Sequence, residues 1–132
     1  MKSERCFTVR KTDWSHDQPA LKKVRFQVFV MEQAVPEALE CDQEDEKAVH
    51  FLAQDSEGSP IGTARLLRNG QIGRMAVLKP WRRSGVGHAL LCAILDFLRS
   101  ADYPEPFLNA QIDAIAFYRQ HGFRSVGATF ME

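Results

Sequence analysis

No stretch of this chain is long and apolar enough to cross a bilayer. Its longest uninterrupted apolar run, Ala89 to Leu95, falls far short of the ~20 residues that a membrane helix needs. Met1 to Trp14 is polar and alternating, without the apolar centre of a secretory leader, so no signal peptide is expected. Neither sign of charge dominates: 17 basic side chains stand against 17 acidic ones. That balance argues against a domain built to grip a nucleic-acid backbone or an anionic membrane, and neither partner is expected. Cysteine is scarce and odd in number, and Cys6, Cys41 and Cys92 show no metal-type spacing. Reduced thiols in a cytoplasmic protein are the expectation, with no metal and no disulfide staple. Internal repeats and low-complexity segments are missing too. The 132 residues, 45% of them hydrophobic, suffice for one domain, residues 1–132, with a core of its own.

The apolar period changes several times along the chain. Arg5 to Arg10 alternates around Phe7 and Val9 and reads as a strand. Asp17 is placed to cap a helix with Pro19 in its first turn, and Leu21, Val24, Val28 and Met31 fall on one face of it. Glu37 to Glu46 carries six acids and no base, which by default is a solvated loop or short helical segment. Ala48 to Gln54 and Ile61 to Leu67 read as strands around a turn cluster, and Asn69-Gly70 supplies a tight hairpin into a partner strand, Gln71 to Leu78. Helical spacing then takes over: Val86, Ala89, Leu90, Ala93, Ile94, Phe97 and Leu98 form one apolar stripe. Tyr103 to Pro106 breaks it. A short strand over Phe107 to Ala110, a second helix from about Asp113 to His121 stopped by Gly122, and a last strand over Phe123 to Phe130 complete the order. The pattern is that of an α/β domain whose sheet is antiparallel early and parallel where a helix crosses over.

The chemical signal lies in Lys79-Pro80-Trp81-Arg82-Arg83-Ser84-Gly85-Val86-Gly87-His88, between a strand and the longest helix. A helix start presents unpaired N–H groups and the positive end of the macrodipole, which favour an anion. Gly85 and Gly87 let backbone approach a diphosphate, and Lys79, Arg82 and Arg83 add charge at the rim. A tight connection with a solvated basic rim is the bland alternative. A Walker-type loop is excluded, because G-x-x-x-x-G-K-[ST] occurs nowhere. The third glycine of the dinucleotide fingerprint is missing, and the preceding strand belongs to a hairpin.

Arg82-Arg83-Ser84-Gly85-Val86-Gly87 resembles the [QR]-x-x-G-x-[GA] pyrophosphate loop of the GNAT superfamily of N-acetyltransferases. The resemblance continues at Phe107-Leu108-Asn109-Ala110-Gln111 and at Ala114 to Phe123, and reaches back to Arg25 to Gln33 with Val35-Pro36. Within the superfamily this combination is similar to small bacterial members that carry a V-F-V-x-E-Q segment. Two departures stand out. Gln111 occupies the place where much of the superfamily has asparagine, and the chain ends at Glu132, where a further antiparallel strand would usually follow. The edge of Phe123 to Phe130 would then need cover, for which a second subunit in a homodimer is one source.

The resemblance implies a single-domain GNAT-like fold with a mixed sheet, its parallel pair at the cofactor cleft. It implies acetyl-CoA as co-substrate, with the diphosphate on Arg82, Arg83, Ser84, Gly85, Val86, Gly87 and His88. The pantetheine arm would pair with Met75, Ala76 and Val77 like an added strand. A bulge there would aim the N–H of Ala76 or Val77 at the thioester carbonyl. Asn109 and Gln111 would complete the coenzyme contacts. The implied reaction is direct attack by a primary amine, on a small molecule or a peptide, through a tetrahedral intermediate and without metal. Tyr118 would protonate the departing thiolate, since a phenol with pKa near ~10 is neutral at pH 7. By periodicity alone, Tyr118 is equally an aromatic packed beside Phe117 and Phe123.

Glu32 is the leading base for the amine and His50 the second. Their bland readings are an exposed helical carboxylate and a sheet-surface histidine. Arg25 and Arg74 are candidates to bind an acidic acceptor or to pair with nearby carboxylates. Cys92 reads as packing. The acids of Glu37 to Glu46, taken as uncompensated, would attract a cationic amine. A non-catalytic acyl-CoA-binding regulatory module is the competing function. An unrelated small α/β interaction domain, in which the glycine turn is coincidental, is a third.

Overall fold

In the computed structural model, residues 6–109 and 115–124 are described. Strand β1 (Phe7–Thr12) leads into helix α1 (Trp14–Arg25), which runs on as a π-helical segment over Phe26–Glu32. A short helix α2 (Glu37–Glu40) and a 3-10 turn (Gln43–Glu46) precede β2 (Val49–Asp55), β3 (Pro60–Leu66) and β4 (Ile72–Val77). A 3-10 turn at Lys79–Trp81 then delivers the chain to α3 (Val86–Ser100), and α4 (Ile115–Gln120) comes last.

Among the described residues the sheet is open, four-stranded and antiparallel in the order β1-β2-β3-β4. Parallel pairing, expected at residues 107–110, is present among the described residues as a single bridge between Gln71 and Phe107. Tyr103 to Pro106, with two prolines, leaves no room for a longer ladder before it. Ala110, Gln111, the expected start of α4 at Asp113, and residues 125–130 of the expected last strand lie outside the described residues.

Alternation along β2 places the core on both faces of the sheet. Phe51 and Ala53 point to one side, where they meet Leu90, Leu91 and Ile94 of α3. Leu52 points to the other, against Trp14 and Leu21 of α1. Each such side chain, fully buried, contributes about 1.5–3 kcal/mol. Gly62 brings α3 close to β3: a Cβ there would lie 2.9 Å from Val86 Cγ1 and 3.2 Å from Leu90 Cδ1. Among the described residues no helix is long and apolar enough to cross a membrane.

Two readings of the first helix change. Asp13, not Asp17, caps it, accepting from the His16 N–H; Asp17 sits at a kink with φ −128° and its carboxylate binds Arg10 at 2.7 Å. Leu21, Val24 and Val28 are buried as expected, but Met31 is 62% exposed. The reason is the π-helical segment. Each of its turns holds more than the 3.6 residues of an α-helix, so the apolar stripe rotates away after Val28.

The acidic stretch forms two short helical segments, the second of the two expectations, but two of its acids are not solvated. Glu40 and Asp45 are buried, and both bind Arg25, itself 1% exposed, at 2.8 Å. Arg65 bridges Asp42 and Asp45 at 2.8 and 3.0 Å, and Arg74 reaches Asp42 at 3.2 Å. Three arginines from α1, β3 and β4 therefore compensate these acids. The sequence conceals it because the partners lie far along the chain.

Candidate functional site

Strand β4 is the axis of the site. Opposite β3 its register runs Thr63 to Ala76 and then Arg65 to Gly73, so Arg74 and Met75 together face Ala64. This is a bulge, and Arg74 takes the left-handed φ of +48° that it requires. It falls just before Ala76 and Val77, where it was expected. A cleft of about 360 Å³ opens beside it. Phe29, Gln33 and Leu39 form one wall, Arg74 and Met75 the floor, and Leu108, Asn109 and Tyr118 the other wall. Phe29, Gln33 and Val35 fall in the segment that carries the family resemblance but were given no site role, and Leu39 was not singled out from sequence. Their signal was the Val35-Pro36 step, which ends the helical arm and folds it over the strand.

Tyr118 reaches this cleft from α4. Its hydroxyl lies 3.8 Å from the Met75 sulfur, and its ring meets Phe117 and Phe123 edge-on. The ring therefore packs as the bland reading expects, and the residue also lines the cleft. Burial pushes its phenol pKa above the ordinary value of 10.0 and keeps it protonated.

Beyond the far end of β4 lies the glycine turn. Gly85 has φ +88° and stands at the first position before α3, where a Cβ would meet nothing within 4 Å. The cradle is open on its outer side. Val86 is buried in the core, so only its backbone faces the turn. Gly87 lies against the Phe117 ring, 3.7 Å from where a Cβ would stand. Arg83 is exposed with φ +64°, Lys79 is exposed, and Ser84 is half-buried. Arg82 is engaged differently. Its Nε donates to the Val77 carbonyl at 3.0 Å and its Nη2 to Glu32 at 2.7 Å. The His88 imidazole turns away to His121, at 2.7 Å.

The base candidates are separated. Glu32 is held by Arg82, and that hydrogen bond, with the charge of nearby Lys79, keeps its carboxyl below the usual range. His50 is buried, its Nε2 2.9 Å from the Asp45 carbonyl oxygen, and burial holds its pKa down. It does not line the cleft. Arg25 is enclosed by Glu40 and Asp45, which removes it as an acceptor-binding group. Arg74 does line the cleft, with its Nε donating to the Glu40 carbonyl at 3.1 Å. Asn109 lines it too. Gln111 lies outside the described residues.

The fold that carries this cleft is shared with known proteins. The family of the acetyltransferase (GNAT) domain matches residues 16–132. The uncharacterized N-acetyltransferase YjcF of Bacillus subtilis (strain 168) is 36% identical over 104 residues, 76% of this chain and 74% of that one. An acyl-CoA N-acyltransferase from Pseudomonas aeruginosa superposes with a TM-score of 0.81 at 28% identity, covering 96% of this chain and 94% of that one. Escherichia coli ElaA superposes with a TM-score of 0.83 at 26% identity, over 96% and 93%. With the family matched over nearly the whole chain and the fold shared end to end, this protein belongs to the GNAT acetyltransferases.

Proposed function

We propose that this protein transfers an acetyl group from acetyl-CoA to a primary amine, with Tyr118 as the general acid. The observation that carries the reading is the placement of the Tyr118 hydroxyl 3.8 Å from Met75, in the same cleft as the β4 bulge. The residues present suit the co-substrate. Gly85 leaves open space where a diphosphate would sit, and α3 supplies a helix N-terminus behind it. Met75 and Val77 are half-buried along the path from that turn to the cleft. Ala76, which is buried, contributes backbone alone.

The chemistry divides among these groups. The amine adds to the acetyl carbon to give a tetrahedral intermediate, and the C–S bond breaks as that intermediate collapses. Strand β4 at its bulge offers an N–H to the carbonyl oxygen as negative charge develops there. Tyr118 gives its proton to the departing sulfur and recovers one from solvent. The proton lost by the amine leaves through water at the cleft mouth, because Glu32 is committed to Arg82 and His50 is buried elsewhere. Direct transfer of this kind needs no covalent enzyme intermediate.

Free-thiol release from acetyl-CoA, followed across a panel of primary amines, tests the proposal. Turnover with at least one amine, lost when the amine is omitted, is expected. Tight coenzyme binding with no turnover on any amine would instead make the protein an acyl-CoA-binding module.

A further inference from the structure

Among the described residues one group of three potential metal ligands converges: His88, Cys92 and His121, with ligand atoms all within 4.8 Å of one another. It lies outside the acyl-transfer cleft. His88 and Cys92 are four residues apart on α3 and so share a face. His121 comes from the turn that follows α4.

With both imidazoles neutral, the hydrogen bonds assign the protons. The Phe117 carbonyl can only accept, so the His121 Nδ1, 2.9 Å away, carries a proton. In neutral His121 the Nε2 then has a free lone pair, and it points at the His88 Nδ1 over 2.7 Å. His88 Nδ1 must be the donor, which leaves His88 Nε2 as acceptor for the Cys92 thiol at 3.5 Å. Thiol, imidazole, imidazole and carbonyl form one directed chain.

We propose that this trio binds a single zinc-class divalent cation. In a tetrahedral zinc site with bonds of ~2.0–2.3 Å, two nitrogens stand about 3.3 Å apart and nitrogen and sulfur about 3.6 Å. His88 Nδ1 and His121 Nε2 must therefore separate slightly from 2.7 Å, and Cys92 Sγ, which lies nearer His88 Nε2 (3.5 Å) than His88 Nδ1 (4.0 Å), must swing around the ring edge toward Nδ1. His121 is already in the required tautomer, and its bond to the Phe117 carbonyl is the outer support that metal-binding histidines use.

The proton count closes. The cation takes the place of the hydrogen between the two rings, and that proton moves to His88 Nε2. The Cys92 thiol releases its proton to solvent, so one proton is set free per cation bound. His88 is exposed, which leaves a fourth position for water. The site ties α3, just past the glycine turn, to the end of the helix that carries Tyr118. It stands independently of the acyl-transfer reading.

The test uses reduced, metal-stripped protein titrated with Zn²⁺ against a chromophoric chelator, and with Co²⁺ alone. Stoichiometric 1:1 binding is expected, with one proton released and a thiolate-to-Co²⁺ charge-transfer band. Cys92→Ser should abolish that band, and His121→Gln should weaken Zn²⁺ by at least about tenfold. The double variant Cys6→Ser, Cys41→Ser should keep both. A rise in wild-type melting temperature on adding Zn²⁺ gives a readout independent of any variant's folding. No stoichiometric binding, a band that survives Cys92→Ser, or a band lost in the Cys6, Cys41 double variant would overturn the proposal.

Discussion

Arg82 and Glu32 are joined across the molecule, Nη2 to Oε1 at 2.7 Å, fastening the glycine turn to the end of the π-helical arm. Fifty residues separate the partners in sequence. One stands at the rim of the glycine turn, and the other closes the segment whose Phe29 lines the cleft. On the proposed reading the pair positions the loop and takes no part in proton transfer. Glu32→Gln is therefore expected to raise KM for acetyl-CoA a few-fold while leaving the pH profile of kcat unchanged. A loss in kcat of ~10²–10⁴, the usual range for removing a general base, would return Glu32 to catalysis.

Removing the phenol oxygen leaves the ring's packing intact. Tyr118→Phe should lower kcat by about 10–1000-fold with little change in KM for acetyl-CoA, measured by steady-state thiol release. Because burial raises the phenol pKa above 10.0, the alkaline loss of activity belonging to Tyr118 lies above that value. Wild-type turnover in Tyr118→Phe would reduce the residue to a packing role.

The buried cluster around Arg25 is a stability feature. Arg25→Met leaves Glu40 without its cation and Asp45 with Arg65 alone, and should cost about 3–5 kcal/mol in urea unfolding. Reversing the charges of Glu40, Asp42 and Asp45 together is expected to unfold the protein rather than alter KM for a cationic amine. A folded triple variant with altered KM would contradict this.

Acid sensitivity follows from two of these groups. Burial lowers the His50 pKa, so the unfolded chain binds its proton first and stability begins to fall below about pH 6.5. Burial alone would raise the Asp45 carboxyl, but hydrogen bonds from Arg25, the Asp42 N–H and Arg65 outweigh it and hold it down. Its contribution is present above the unfolded value near ~3.9 and is lost as pH falls through the lower folded value. Thermal melting from pH 8 to 3 should show a first decline that disappears in a folded His50→Gln variant. A melting temperature flat between pH 7 and 5 would contradict the assignment.

Much of the fold was legible because it is local. The stripe from Val86 to Leu98 and the Asn69-Gly70 hairpin are short-range patterns, and both are present as α3 and the β3–β4 turn. The glycine turn was legible for the same reason. What stayed hidden depends on distance along the chain. The acids at 40–45 are neutralised by arginines at 25, 65 and 74, and Glu32 by Arg82. Met31 was misplaced because a π-helical segment shifts the period without any residue type that marks it. His88 and Cys92 carried a visible four-residue spacing, but the third member, His121, joins them only through the packing of α4.

The turn at Gly85 is where the functional reading is most exposed to test. Gly85→Glu places a carboxylate in the open cradle, with about 1–2 kcal/mol of backbone strain from φ +88° and no clash at Cβ. Calorimetric titration of the wild type and this variant with acetyl-CoA is the direct measurement. Saturable 1:1 binding to the wild type, lost in a folded Gly85→Glu protein, is expected; no heat with the wild type, or equal affinity in both, would contradict a diphosphate seat at the start of α3.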